Sequence, residues 1–328
     1  MQTSYIYSAS KANALSQDLL NKTDIERLLA ADSGVELQSA LKETYLASYV
    51  LQVPDESVSL AVEETLRHAK KLIHRVTPNS NMFRVMWVRY DIHNLRVFAK
   101  ATAVDLPVEQ VQEYLSERGI YDSSYLYEHI ENRTLNNLQM GWQEAYDSAV
   151  QTMSDGDLSQ MDGVLDELYF VTIKRIVELS GDSFMGTYLQ ALIDIYNLQS
   201  NLRHLQNATV SFSPAFVTGG SFSASQIETS DQVFAALAQL GGAEYWTSAL
   251  EFYKETGHFT QFDSKAADYL LTVAKEGSYD MFSPASLVLY YLKCQQAAAN
   301  VRTIVVGKNG GHDADSIRSN LRLAYVND

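Results

Sequence analysis

Two short stretches near the end of the sequence contain residue types that could do chemistry. His312-Asp313 is the pair that opens many metal phosphohydrolase sites, but only 15 residues follow Asp313 and could supply further ligands. Asp313 is better explained as the cap of a final helix after Gly310-Gly311, because its carboxylate can accept free N–H groups of a first turn. Gly307-Lys308 lacks the Gly-x-x-x-x-Gly-Lys-Ser/Thr spacing that cradles phosphate.

Other reactive residue types also lack the spacing that catalysis or metal binding requires. Cys294 lies in the middle of an apolar helical pattern and is expected to be packed rather than reactive. His68 and His74 are too far apart for a metal pair on one helical turn, and no Gly-x-Ser-x-Gly elbow occurs. Carboxylate pairs such as Asp162 with Asp166 are expected on solvated helix faces. We therefore expect no catalytic residues, no metal and no cofactor.

Polar residues within apolar helical patterns are the sharper feature. Arg89 and Arg96 are seven residues apart, hence on one helix face, in a run rich in Val, Met, Trp and Phe. One interpretation is an internal ion pair with Asp91 or with an acid of a neighbouring helix. The other is that a set of polar side chains lines a shared axis or a partner interface. The members of that set are Asn94, Arg96, Asn197, Arg203, Asn300 and Arg302.

The asparagines of that set recur at a fixed interval. Asn94, Asn197 and Asn300 are separated by 103 residues. A Ser or Thr followed by Pro or Gly stands 17 residues before each asparagine, which is typical of a helix start. Arg96, Gln199 and Arg302 obey the same interval, with Gln199 in place of the basic residue. The interval predicts an internal triplication with domains 1–104, 105–207 and 208–328.

The elements that must position these residues are all helices. Apolar periodicity and breaks at Pro, Gly and polar clusters predict an all-α fold of three similar helical bundles around a pseudo-threefold axis. The predicted helices are Leu19–Ala31, Val35–Val50, Val58–His74, Asn79–Ala101, Val108–Arg118, Ser124–Met153, Met161–Leu179, Asp182–Leu205, Thr229–Leu240, Ala243–Thr256, Ser264–Lys275, Pro284–Val306 and Asp313–Tyr325. The loop around Phe212, Phe216 and Phe222 is either an exposed contact or folded onto the core.

Composition and charge limit the classes of function. The formal charge of -15 argues against a general nucleic-acid binder, since phosphate contacts need a basic surface. Residues 1–104, 105–207 and 208–328 carry +1, -12 and -4, so a basic partner would be steered to the middle range. No apolar run is long enough to span a membrane, and the single cysteine favours a reducing, intracellular compartment.

The predicted helix Pro284–Val306 and the residues just after it carry a more specific signal. The run from Leu289 to Lys308 contains Asn300, Arg302, Ile304 and Lys308, which resemble an Asn-Leu-Arg-x-Ile-x-x-x-x-Lys pattern with Val301 for the leucine and the lysine one position earlier. Together with Tyr-Asp-x-x-Asn-Leu at 90–95 and Ile317-Arg318 in the final helix, the sequence resembles the C subunits of the V-type and A-type ATPases, whose eukaryotic counterpart is the d subunit. The likeness runs along essentially the whole chain.

The resemblance implies a mechanical role. Members of the family are funnel-shaped, all-helical proteins of three similar domains, and they act without catalysis or cofactor. They form a socket on the cytoplasmic face of the membrane, between the central-stalk subunits of D and F type and the proteolipid rotor ring that moves H+ or Na+. This chain would then bind neither nucleic acid nor a small-molecule substrate. The alternative is a stand-alone acidic helical scaffold that binds a soluble protein partner.

Overall fold

The computed structural model describes residues 5–32, 34–52, 58–206 and 216–326, which form helices and connecting segments without a strand. The all-α prediction is confirmed. The helices are α1 Ile6–Ser16, α2 Lys22–Ala30, α3 Gly34–Leu41, α4 Ala47–Val50, α5 Val58–Val76, α6 Arg84–Ala103, α7 Ser123–Glu131, α8 Trp142–Ser154, α9 Leu158–Ser180, α10 Ser183–Gln206, α11 Ser230–Gln239, α12 Ala243–Thr256, α13 Thr260–Gly277, α14 Ala285–Asn309 and α15 Ala314–Arg318.

The first compact unit combines the two ends of the chain, residues 1–78 and 266–328. Its central helix is α14, which packs against α5 and α1. The buried residues of α14, including the fully buried Tyr291, lie on all sides of the helix, as expected of a helix enclosed by others. The Ser8 hydroxyl donates a hydrogen bond to the carbonyl of Val76, which ties the start of α1 to the end of α5.

The second compact unit covers residues 79–265. In it α6 packs against α8 and α9, and α10 packs against α9 and α11. Two fully buried tryptophans anchor helix starts in this unit. The indole N–H of Trp142 donates to the hydroxyl of Thr172, and that of Trp246 donates to the carbonyl of Leu240. Their polar atoms are therefore satisfied inside the core.

Several predicted helix boundaries are wrong, and the causes are local. The predicted helix Ser124–Met153 is two helices, α7 and α8, because Arg133 and Gly141 adopt positive φ angles of 54° and 87° between them. The predicted helix Val108–Arg118 forms only two short 3-10 turns. The last helix ends at Arg318 instead of Tyr325, and α1 was not predicted. Apolar spacing alone did not reveal these breaks.

The two units divide the chain differently from the predicted ranges 1–104, 105–207 and 208–328. The first unit takes residues from both the first and the third predicted range. The three-domain division and the pseudo-threefold arrangement stay predictions. The structure does show the hydrogen bonds and burial of each recurring residue.

Candidate functional site

The three asparagines make the same pair of hydrogen bonds. In each case the side-chain amide donates to the carbonyl of a residue 20 or 22 positions later, and the side-chain oxygen accepts the N–H of that same residue. All six distances lie between 2.7 and 3.0 Å. The pairs are Asn94 with Ser116, Asn197 with Val217 and Asn300 with Arg322.

Each asparagine thereby fixes the chain that follows its long helix. The long helices are α6, α10 and α14, and we call residues 104–122, 216–223 and 310–326 the first, second and third return segments. Asn94, Asn197 and Asn300 are buried. Because each amide completes one backbone N–H and one C=O, it replaces pairing that regular secondary structure would otherwise supply. The recurrence of this geometry at 103-residue intervals is what an internal triplication predicts.

The first two return segments are held by a second set of hydrogen bonds, made by a buried aspartate. We call this aspartate and its neighbouring glycine the aspartate–glycine clamp. Asp91, one turn before Asn94, accepts the N–H groups of Ile120 and Tyr121 at 2.8 and 3.1 Å. Asp194, one turn before Asn197, accepts the N–H and the hydroxyl of Ser221 at 2.6 and 2.7 Å. Both carboxylates are almost fully buried. Burial raises the pKa of Asp194, while its hydrogen bonds with Ser221 and Phe222 act in the opposite direction.

Glycine makes room for each of these carboxylates. A Cβ atom added at Gly119 would lie 2.3 Å from Oδ1 of Asp91, and one added at Gly220 would lie 2.3 Å from Oδ1 of Asp194. Both glycines stand three residues after the backbone partner of the asparagine. The aspartate and the glycine therefore form one unit, because any larger residue would push the buried carboxylate off its N–H donors.

The third return segment lacks this pair. Ala297 stands one turn before Asn300, and Tyr325 stands three residues after Arg322, where the other segments have glycine. Both residues are buried, with exposures of 0 % and 4 %. A small residue on the helix and a large one on the return segment thus replace a carboxylate and a glycine. The first two segments are held by charge-assisted hydrogen bonds, and the third by apolar burial.

Position 96 and its counterparts contact acids on other helices of their own unit. Arg96 donates from Nε to Asp162 at 2.7 Å and from Nη2 to Asp166 at 2.9 Å. Gln199 donates to Asp263. Arg302 pairs with Glu63 at 3.3 Å. The interpretation of Arg96 as a partner of an acid from a neighbouring helix is confirmed.

Arg203 and Arg89, the other two arginines singled out in the sequence, lie near aromatic rings. The guanidinium of Arg203 lies 4.8 Å from the ring centroid of Phe259, and that of Arg89 lies 6.0 Å from the ring of Tyr90. Among the predicted interface residues, the asparagines are buried, Arg96 and Arg302 are half-buried, and Arg203 is exposed. Their contact with a partner stays a prediction.

The aspartate–glycine clamp was not predicted from the sequence. The aspartates could be recognised in the sequence, since Asp91 and Asp194 stand 103 residues apart. The third position at this interval is Ala297. The glycines could not be recognised by the interval of 103, because Gly119 and Gly220 are separated by 101 residues and lie in irregular segments. Aligning each return segment on the backbone partner of its asparagine would have shown both.

The residues considered for chemistry make structural contacts: one caps a helix and another is buried. The side chain of Asp313 accepts the N–H of Ser316 at 2.9 Å, which confirms it as the cap of α15. Burial raises the pKa of the Cys294 thiol to about 12, so the thiolate nucleophile is suppressed at neutral pH. No group of three or more His, Cys, Asp or Glu side chains that could hold a metal occurs in the described parts of the chain.

Two further features bear on possible contacts. Phe222 is buried and Phe216 half-buried, whereas Phe212 lies outside the described residues. These two rings therefore pack inward rather than forming an exposed apolar loop. Among the helices of residues 5–32, 34–52, 58–206 and 216–326, none has the length and apolar character to cross a membrane.

Comparisons with known proteins cover the same region as these recurring contacts. A profile of the family described as ATP synthase (C/AC39) subunit matches residues 9–320. The chain is 21 % identical to the C subunit of the A-type ATP synthase of Methanocaldococcus jannaschii, over 97 % of this chain and 86 % of the relative. It is 19 % identical to the C subunit of the V-type sodium ATPase of Enterococcus hirae, over 94 % and 95 %.

A third relative extends the comparison to another archaeon. The chain is 22 % identical to the C subunit of the A-type ATP synthase of Methanosarcina acetivorans, over 97 % of this chain and 93 % of the relative. The family match includes all three asparagines and all three return segments as far as residue 320. The chain therefore belongs to the ATP synthase (C/AC39) subunit family, which contains the C subunits of V-type and A-type ATPases.

Proposed function

We propose that this protein is a non-catalytic socket in a rotary ATPase, coupling the central stalk to the membrane proteolipid ring during H+ or Na+ transport. The observation that carries the proposal is the family match over residues 9–320, which includes all three long helices. The named relatives belong to both A-type ATP synthases and a V-type sodium ATPase. The expected partners are stalk subunits of D and F type on one side and the ring on the other.

The recurring clamps suit a part that transmits torque. The long helices α6, α10 and α14 contain 20, 24 and 25 residues and no proline, so they lack the usual cause of a sharp kink. A buried asparagine ties each of them to its return segment. Such internal hydrogen bonds resist relative sliding of helix and segment, because separating them leaves buried polar groups unpaired. Stiffness of this kind limits the energy lost in bending the coupling element.

The predicted interface residues contribute in two ways under this proposal. Arg203 is exposed and Arg302 half-buried, so their guanidinium groups can reach acids of a partner. The asparagines have their amides occupied inside the protein. They would act by holding the return segments in place, and those segments contain exposed residues. Membrane attachment would come through the ring, giving a peripheral cytoplasmic location.

The test has a pull-down arm and a functional arm. A tagged copy is purified from gently solubilised membranes beside an untagged control, and associated proteins are identified by mass spectrometry. Stalk subunits and the proteolipid ring should be recovered together. In membranes from cells lacking the protein, ATP hydrolysis by the soluble head should continue while ATP-driven ion transport is lost, and re-addition of the protein should restore transport.

The functional arm separates a coupling role from a catalytic one. If hydrolysis itself disappeared while the head remained assembled, the non-catalytic role would be wrong. Recovery of soluble proteins alone, without ring or head subunits, would favour the acidic scaffold instead. That alternative rests on the charge of -12 in residues 105–207, which would attract a basic partner.

A further inference from the structure

A groove lies in the first unit between the C-terminal half of α14 and α15. Its volume is about 400 Å³, and Val306 of α14 and Ile317 of α15 contribute its apolar walls. The two helices approach closely because Gly307 has no side chain, since a Cβ there would lie 2.6 Å from Cγ1 of Ile317. Val306 is 69 % exposed, so the groove is open to solvent.

The groove differs in charge from the chain as a whole. The protein carries -15, yet the described residues that line the groove include Arg302 and His312 and no acid. The nearby acids are engaged elsewhere, because Asp313 caps α15 and Asp315 pairs with Arg318. The guanidinium of Arg302, which pairs with Glu63 outside the groove lining, is therefore the charged group of this wall.

Arg302 retains hydrogen-bonding capacity that its counterpart has used. Arg96 is held by two aspartates at 2.7 and 2.9 Å, whereas Arg302 has the carboxylate of Glu63 at 3.3 Å. A guanidinium has five N–H donors, and the side chain of Arg302 is 39 % exposed. The planar fork of such an arginine matches the two oxygens of a carboxylate.

The first return segment differs at the positions that correspond to the groove walls. When the segments are aligned on Ser116 and Arg322, Lys100 stands in place of Val306, and Tyr114 in place of Asn320. The first return segment lines a different cavity, of about 330 Å³, with Leu115 among its walls. Arg96, the counterpart of Arg302, does not line that cavity.

We propose that this groove binds a small apolar carboxylate. Arg302 donates hydrogen bonds to the carboxylate, and Val306 and Ile317 pack against the apolar part. Asn320 also lines the groove, where its amide N–H donates to the carbonyl of Ser316 at 2.9 Å. The volume falls within the roughly 300–1,000 Å³ of ligand sites in proteins. The site shares Arg302 with the proposed partner contact, but its test uses the purified protein alone and does not depend on the coupling role.

The experiment titrates the purified protein with benzoate and, in parallel, with benzamide, following two-dimensional NMR spectra of the backbone amides. Benzoate should saturate in the millimolar range, with shifts at residues 302–320. Benzamide has the same shape without the charge and should bind at least tenfold more weakly. Equal binding of the two compounds, or no saturable benzoate binding up to about 50 mM, would overturn the proposal.

Two variants locate the site and one serves as a control. Arg302→Gln should weaken benzoate binding at least tenfold, and Val306→Asp should do the same by placing a negative charge in the groove without disturbing a buried residue. Arg67→Gln is the control, because Arg67 is 38 % exposed and has one carboxylate partner, Glu64 at 3.1 Å, in the same unit. Benzoate affinity unchanged by Arg302→Gln and Val306→Asp would contradict this location.

A second titration distinguishes a free metabolite from a protein chain end as the source of the carboxylate. An acetylated tripeptide ending in phenylalanine presents the same chemistry with added backbone. Binding of the tripeptide at least tenfold tighter than benzoate would identify a partner's C-terminus as the source. Tighter binding of benzoate would identify a free small carboxylate.

Discussion

The return segments of the two units are held by different chemistry at equivalent positions. In the second unit, Asp91 and Asp194 accept backbone N–H groups beside a glycine. In the first unit, Ala297 and Tyr325 replace that aspartate and glycine with apolar burial. The asparagine one turn along the helix is present in both units. The difference indicates that the asparagine sets the geometry, while the second contact can be polar or apolar provided that both partners change together.

The polar contact of the second unit and the apolar contact of the first unit should respond differently to mutation. A buried carboxylate is tolerated when hydrogen bonds replace the water it loses, and it becomes costly when they are absent. A buried tyrosine needs space and apolar neighbours for its ring, and its hydroxyl usually finds a hydrogen-bond partner. Exchanging both partners should therefore be less destabilising than the sum of the two single exchanges, which is the basis of the first and largest prediction.

Ala297→Asp should cause the largest loss of stability. It places a carboxylate at a fully buried position of α14, where the return segment has Tyr325 in place of the glycine that makes room for Asp91 and Asp194. We expect the free energy of unfolding to fall by about 4 kcal/mol, as for a buried unpaired charge. Urea unfolding followed by circular dichroism would measure the change.

A double-mutant cycle sharpens that result. Tyr325→Gly alone should cost about 3 kcal/mol, because a buried aromatic ring is removed. The double variant, with Asp at 297 and Gly at 325, recreates the pair of the other segments and should cost at least about 1 kcal/mol less than the sum of the single changes. Strict additivity would show that the aspartate and the glycine are not coupled through the space between them.

Asn300→Ala should have the next largest effect. It leaves the N–H and C=O of Arg322 without their partner, and each unpaired buried group costs about 1–3 kcal/mol. We expect a loss of about 3 kcal/mol. Asn94→Ala should cost about 1 kcal/mol less, since Asp91 still holds the first return segment through two further N–H groups.

Hydrogen exchange distinguishes this explanation from general destabilisation. In Asn300→Ala, the amides of the third return segment should exchange faster than those of α5 in the same unit. Equal acceleration throughout the unit would mean that the asparagine stabilises the bundle as a whole and holds no particular segment.

The sequence predicted the shared part of this arrangement better than the variable part. Asn94, Asn197 and Asn300 were identified by their interval because they lie on uninterrupted long helices, where spacing is preserved. Gly119 and Gly220 lie in irregular segments, where small differences in length shift the register. The contacts of Arg96 with Asp162 and Asp166 join residues 66 and 70 positions apart, which no local pattern encodes. Helix type followed from periodicity, whereas the breaks at Arg133 and Gly141 depend on single backbone angles.

Gly119→Ala should be moderately destabilising. The new methyl group would lie 2.3 Å from Oδ1 of Asp91, and this carboxylate cannot move without losing the N–H groups of Ile120 and Tyr121. Overpacking of this kind costs about 1–3 kcal/mol. Gly186→Ala is the matched control, because Gly186 lies within α10 with no atom near the added methyl group.

The control should change stability in the opposite direction. Alanine at position 186 should raise the free energy of unfolding by about 0.5–1 kcal/mol, since glycine is a poor helix former. Urea unfolding of both variants under one condition makes the comparison. A neutral or stabilising Gly119→Ala would show that the first return segment can shift and that the close approach to Asp91 is not required.

Arg96→Gln should have the smallest effect, because Gln199 already occupies the equivalent position beside Asp263. The ion pairs of Arg96 are partly exposed, so their loss should cost only about 0.5–1 kcal/mol at low salt. Burial raises the pKa of Asp166, and the guanidinium of Arg96 opposes that rise. Removing Arg96 should raise the pKa further.

The pH dependence of this variant follows from the sign of that shift. A carboxyl whose pKa is raised in the folded state contributes its stability at acid pH and loses it as the pH rises through the raised value. The variant should therefore match the wild type most closely at acid pH and fall behind as Asp166 ionises. Urea unfolding from about pH 3, below the ordinary pKa of an aspartate, to about pH 7 would measure this. Salt at about 0.5 M should narrow the gap because it screens exposed pairs. A deficit independent of pH and salt would mean that Arg96 acts through packing of its side chain, leaving the neutral Gln199 contact and the charged Arg96 contact equivalent.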